Sequence, residues 1–530
     1  MARIFAAAAV VLSLTVGTAL AHDEHAGHDD GKLGKTAFAN SCSPEVQTEL
    51  TRGVAMLHSF WYSAGEQTFR NVLEKDPSCG IAYWGIASLL MSNPLSGAGP
   101  AAKEAERAIA AVAKGRETGA KTQREKDYLE AVAEYWRDWA NRPEGARQET
   151  RSKAYEALAA RYPTDDEAQI FNALYLAGTQ SQADQTYAAY GRSAAILEPM
   201  FAKYPDHPGV AHYLIHVYDA PPLAQKGLTA ARRYAGIAPA APHALHMPSH
   251  IFTRVGAWAD SASTNERAFQ AAISGGEADE AYHASDYAVY ADLQMGRDNE
   301  AARIMERALR VTGATPGRPT APYAAAAMRA RYAVERGDWA GAARLEPAGG
   351  GVPFTEAITW FARGLGAARS GDGAGAEQAA AKLDELHVKL VAAKNTYWAT
   401  EVEIQQRALA GWIALGKKNT AAGLAAMRAA AGLEDKNEKH IVTPGRILPA
   451  RELLGDMLLE AGQPDAALKE YEASQTREPN RFRGYYGAAR AAEAAGDRAK
   501  AAAYYKKLLA LAADADAARP ELARAKAFKG

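Results

Sequence analysis

The chain has 530 residues, 48% of them hydrophobic, which is too long for one ordinary compact domain and enough to bury a large core. Its 61 Lys+Arg against 62 Asp+Glu leave a net charge of −1, and it has two cysteines. That balance excludes a broad electrostatic grip on nucleic acid, a disulfide-rich scaffold, a four-thiolate zinc site and a wholly disordered chain.

Met1-Ala-Arg3, the apolar run Ile4 to Val16 and the small residues of Ala19-Leu20-Ala21 follow the three-part plan of a secretory signal over residues 1–21. The run is shorter than the roughly 20 residues of a membrane span. No later stretch is apolar for that long. The expectation is an exported protein, periplasmic or secreted, with no membrane span after signal removal. Residues 22–41 then form a flexible tail in which His22, His25 and His28 stand among Asp23, Glu24, Asp29 and Asp30. Such a tail either catches metal ions or is a plain polar leader. Cys42 and Cys79 precede neighbouring predicted helices, and an oxidising compartment permits a disulfide between them. Two buried thiols are the alternative.

From there the chain repeats. Leu454-Gly455, Gly462, Ala467 and Tyr471 return 34 residues later as Ala488-Ala489, Gly496, Ala501 and Tyr505. Pro222, Gly256, Gly296, Gly337, Gly371, Gly416, Gly462 and Gly496 mark turns spaced 34, 40, 41, 34, 45, 46 and 34 residues apart. Glycine suits a tight turn, and the small alanines let a second helix approach the first. Strand signals are nearly absent. This pattern resembles the tetratricopeptide repeat, a pair of antiparallel helices about 34 residues long. The resemblance implies an all-α, right-handed superhelical solenoid of about ten to twelve helix pairs, helix A of each lining the concave side. The divisions are 42–205 (front repeats), 206–312 (central units), 313–433 (further repeats), 434–447 (a loop, rich in charge, that folds back over the groove) and 448–530 (C-terminal units).

The histidines single out the central units. Of 13 in the chain, His207, His212, His216, His243, His246, His250 and His283 fall within 77 residues, whereas His58 belongs to the first unit, far away in sequence. With each turn residue as position 15 of its unit, His243, His246 and His250 fall at 2, 5 and 9, His212 and His216 at 5 and 9, and His283 and Asp286 at 2 and 5. In tetratricopeptide units those positions face the groove. Residues i and i+4 lie only about 40° apart round a helix, so each HxxxH pair shares a face. Imidazoles from neighbouring helices then converge on a copper, zinc or iron ion, with Asp286 as a further ligand. Asp219, Arg254, Tyr290 and Gln294 line the groove beside them. Pro248 complicates the register, because it either kinks the helix or starts it and leaves His243 and His246 on an approach loop. Glu277, Asp279 and Glu280 read as a solvated helix entrance.

His207-Pro208-Gly209, His212-Tyr-Leu-Ile-His216 and His246-Met-Pro-Ser-His250-Ile resemble a motif set of exported bacterial tetratricopeptide proteins. The similarity runs from Leu57-His58-Ser59-Phe60 to Pro449-Ala-Arg451-Glu-Leu-Leu-Gly455. It implies that the cluster is one site, and it implies no reaction. This chain departs from the set at Asp219, where Glu is common, and at Ala284, where Asn is common. No phosphate loop, serine elbow or HExxH motif is present. Two functions remain. One is a metal-binding groove, with or without redox catalysis. The other is a metal-free concave surface that docks a protein, peptide or small-molecule ligand.

Overall fold

The computed structural model describes residues 32–348 and 351–529. The expected signal over 1–21 and the three tail histidines lie outside the described residues. Among the described residues every regular element is helical, and no helix is long and apolar enough to cross a membrane. Twelve successive helix pairs run from Gln47–His58 with Tyr62–Lys75 to Phe482–Ala494 with Arg498–Leu511, and a short helix, Pro520–Ala527, closes the series.

The turn chemistry explains the pairs. Gly337, Gly371 and Gly496 take φ of +66°, +83° and +83°, a region open to glycine at no steric penalty. The next residue then caps the second helix: Asp338 accepts from Gly341 N at 2.8 Å, Asp372 from Gly375 N at 2.9 Å and Asp497 from Lys500 N at 2.9 Å. Each such cap contributes about 1 kcal/mol. Gly416 differs from the sequence reading. It is the last residue of helix Thr396–Gly416, and Lys418 takes the left-handed position at φ +64° before the Asn419 cap.

Cys42 and Cys79 form a disulfide with Cα atoms 4.8 Å apart, tying the entry segment to the first units. Closing that loop stabilises the fold by about 4 kcal/mol in the chain-entropy model. One apolar core runs from Leu33 to Phe252 and a second from Tyr323 to Ala525, with only small apolar clusters between them. Helices bearing His212, His216, His243, His246 and His250 lie at the end of the first core, and His283 falls among the small clusters between the two.

The solenoid also folds back on itself. Trp258 Nε1 donates to the Asn480 carbonyl at 2.7 Å, Phe482 N donates to Gln294 at 3.1 Å and Arg519 Nε meets Asp298 at 2.9 Å. The loop between helices Thr420–Glu434 and Ala450–Glu460 runs through the interior. His440 Nε2 donates to the Ser96 carbonyl at 2.8 Å, Glu438 N donates to the Gln182 carbonyl at 3.0 Å, and Arg331 holds Thr443 Oγ1 and the Gly445 carbonyl at 2.7 and 2.8 Å. The expected fold-back over the groove is therefore a buried internal strut.

Candidate metal centre

Helix Pro208–Tyr218 carries His212 and His216 on one face. Two short helices, Pro242–His246 and Pro248–Arg254, carry His243, His246 and His250. Met247 between them keeps helical angles of φ −53° and ψ −36°. Pro248 thus opens the second segment without turning the chain away, and His243 and His246 are helical rather than on a loop. Helix Ala278–Gln294 adds His283.

These six side chains form two triads, His212/His216/His243 and His246/His250/His283. All six are buried, and within each triad one ligand atom per residue lies within 4.8 Å of the others. His212 Nε2 and His216 Nε2 are 3.0 Å apart, and His246 Nε2 and His250 Nε2 are 3.1 Å apart.

The opposite ring nitrogens fix the tautomers of His246, His250 and His212. His246 Nδ1 meets Asn265 Oδ1 at 2.7 Å, and the Asn265 amide nitrogen is already donating to the Ser261 carbonyl at 2.7 Å. His246 Nδ1 therefore donates. His250 Nδ1 donates to the Asp219 carboxylate at 2.8 Å, and His212 Nδ1 donates to the His58 carbonyl at 2.7 Å. In a neutral ring the other nitrogen then carries a bare lone pair. His246 and His250 consequently aim two lone pairs at each other across 3.1 Å. Two bonds of about 2.0–2.1 Å to one metal ion span such a gap. His243 fits the same scheme. Its Nδ1 meets Glu280 at 3.1 Å, and its buried Nε2 has no hydrogen-bond partner. Imidazoles held from behind by a carboxylate, carbonyl or amide are the usual support of a metal site.

Burial keeps five of these rings neutral. It pushes His212, His216 and His246 well below their usual range, with mutual repulsion of the rings adding to it. Burial likewise brings His250 to about 4, against the opposing pull of Asp219, and His283 to about 3. Because these values lie below the ordinary 6.5, protons prefer the unfolded chain. Their contribution to stability is whole above pH 6.5 and is lost as pH falls through 4 and then 3. The metal-free protein is expected to show a thermal midpoint that drops steadily from pH 6.5 to 4. A midpoint that stays flat over that range, read by circular dichroism, would contradict the burial of neutral rings.

Two residues assigned to the metal from sequence lie elsewhere. His207 donates through Nε2 to Glu167 at 3.0 Å while its Nδ1 accepts from Val210 N. Both nitrogens are engaged within the chain, and His207 stands with His58 and Glu167 in a separate buried group of ligand spacing, apart from the two triads. Asp286 is paired with Arg331, both fully buried. The four groove residues are also engaged within the chain. Asp219 accepts from His250, Arg254 at 2.7 Å and Lys439 at 3.0 Å. Arg254 reaches Glu438, Tyr290 meets Arg481 and Gln294 holds Phe482 N. Their partners come from the C-terminal units and the internal loop.

Other contributors were hidden in the sequence. His58, far off in the first unit, lies directly behind His212 and is itself held by Glu167 at 2.9 Å and Tyr213 at 2.9 Å. Any side chain at Gly209 would run into the His58 ring, which accounts for the glycine of His207-Pro208-Gly209. Phe60, at φ +53°, packs its ring 4.4 Å from His212 and 5.6 Å from His243. The Tyr287 ring lies 4.7 Å from that of His246 and 5.1 Å from that of His250. Glu280 supports His243 instead of standing in solvent. The one sequence signal for Glu167 is an acid set among the apolar residues Ala168, Ile170 and Phe171 of a buried helix face. A cleft of about 300 Å³ lined by Phe60, Tyr62, His243, Glu277, Glu280 and Arg318 leads from the surface to the first triad.

No family model matches the chain, and no curated protein matches it. Among solved structures it is similar to the Cut9–Hcn1 hetero-tetramer of the APC/C at 13% identity, covering 91% of this chain and 96% of that one with a TM-score of 0.29. It is also similar to a human IFIT1 dimer with PPP-AAAA at 13% identity, covering 78% of this chain and 88% of that one with a TM-score of 0.37. The chain is an all-α, tetratricopeptide-like solenoid. Its interior holds histidine groups with metal-ligand spacing.

Proposed function

We propose that this chain is an exported transition-metal protein that binds copper, zinc or iron through its central histidines and uses the bound metal for redox chemistry. One observation carries the reading. His246 and His250 direct unprotonated Nε2 atoms at each other across 3.1 Å in a buried site, an arrangement that lone-pair repulsion disfavours unless a cation lies between. Imidazole donors suit copper, iron and zinc alike, and redox chemistry follows with the first two. The leader-like N-terminus and the Cys42–Cys79 disulfide support an oxidising compartment.

The test is metal content. The mature chain, purified without an affinity tag, is expected to carry stoichiometric metal. A variant with His212, His216, His246 and His250 changed to Ala is expected to lose it. No metal in the parent after reconstitution with copper, zinc and iron in turn would sink the proposal and leave a metal-free partner-binding scaffold.

A further inference from the structure

The spacing between the two triads is no wider than the spacing inside them. Ring centroids within the triads are 4.3 Å apart for His246 and His283, and up to 6.4 Å apart for His216 and His243. Across the boundary, His216 and His250 are 5.7 Å apart, and His243 and His246 are 6.0 Å apart. The six imidazoles form one continuous shell. Two separate sites would need a wall of side chains between them, and these ring pairs meet directly.

We propose that the two triads hold two metal ions as a single dinuclear centre, joined by hydroxide in the divalent state. This rests on the metal reading above and extends it to number, adjacency and bridging ligand. Three imidazoles leave at least one position open on each ion, since first-row ions of this kind take four or more ligands. Two-metal sites place their ions about 3.5–4 Å apart, a separation that one oxygen atom bridges.

Charge selects the bridge. Two divalent ions bring four positive charges into a buried pocket, and the six donors are neutral. No carboxylate or thiolate belongs to either triad. The nearest carboxylates stand behind the rings, Glu280 on His243 Nδ1 and Asp219 on His250 Nδ1, and Asp219 is already offset by Arg254 and Lys439. A buried excess of positive charge is costly without a close anion. Metal-bound water loses its proton near neutral pH, so hydroxide is the anion at hand. The cleft lined by His243 and Phe60 gives water and small ligands an approach.

Copper(II) is the probe. The tag-free chain is stripped of metal, loaded with cupric ion and freed of excess. Bound copper and electron spin resonance intensity are then measured on one sample. Two coppers per chain are expected, with most of the cupric signal missing because spins coupled through the bridge cancel. Acid release under argon is expected to restore the full signal. Changing His212 and His216 together to Ala, or His246 and His250 together, is expected to leave one copper with its full signal.

One copper per chain in the parent would overturn the pair while leaving metal binding intact. Two coppers with undiminished signal would overturn the bridge, as would released copper that stays silent. No bound copper, zinc or iron would instead defeat the underlying metal reading. The parent alone separates these outcomes, so a variant that fails to fold removes nothing from the test.

Discussion

Replacing Asp219 with Ala is expected to destabilise the protein by about 3–5 kcal/mol, the usual effect of removing one partner from a buried ion pair. The side chain is 3% exposed and accepts from His250 at 2.8 Å, Arg254 at 2.7 Å and Lys439 at 3.0 Å. Its loss strands Lys439 where water cannot reach it, leaves Arg254 with Glu438 alone, and frees the His250 ring. Burial would push Asp219 up, but Lys439 and Arg254 hold it well below the ordinary carboxylate range, so the negative charge is present throughout the neutral region. Metal affinity is expected to fall about 10–100-fold as well, because the ring loses the group that orients it. Urea unfolding and a metal titration check the two effects. A paired Lys439→Met change should recover part of the stability, since one stranded charge goes with it. A loss below about 1 kcal/mol would mean that the pair is solvated as a surface bridge is.

Arg481→Met is expected to have an effect of the same size, about 3–5 kcal/mol, and a different signature. Arg481 is fully buried and holds Glu335 at 2.7 Å and Glu452 at 2.7 Å, and it also contacts Tyr290. It fastens the C-terminal units to the central ones. Its removal leaves two carboxylates facing each other in a dry site. The C-terminal region beyond Pro449 should become susceptible to limited proteolysis, while the two histidine triads keep their metal. Adding Glu335→Gln and Glu452→Gln should restore resistance, because the charges that needed Arg481 are gone. Proteolysis that remains as slow as in the parent would show that this latch is dispensable.

The repeat was readable because its determinants are local. A glycine at positive φ followed by a capping Asp, as at Gly371-Asp372 and Gly496-Asp497, specifies a helix turn with no knowledge of the rest of the chain. The helical period then places His212 beside His216 and His246 beside His250, and nearest-neighbour stacking brings His243 and His283 to them. What could not be read depends on closure. Whether Asp286 faces a histidine or Arg331 is decided by a helix two elements further on, and Asp286 went to Arg331. Asp219 and Tyr290 read as groove residues because the groups that engage them, Lys439 and Arg481, come some 190 to 220 residues later in sequence. His58 reached His212 for the same reason, since the first unit packs across the interior rather than along it. Repeat register is set between adjacent units, whereas the return of the spiral upon itself joins units far apart in sequence.

That return has a consequence for how the molecule comes apart. Stacked-repeat proteins usually fray from their ends, because each module touches only the next. Here the final modules grip the middle through Asn480, Phe482 and Arg519, and the strut around His440 reaches back to Ser96 near the front. Peeling one terminal module would break bonds on distant parts of the chain, so denaturation should proceed as one sharp event rather than as a graded unzipping.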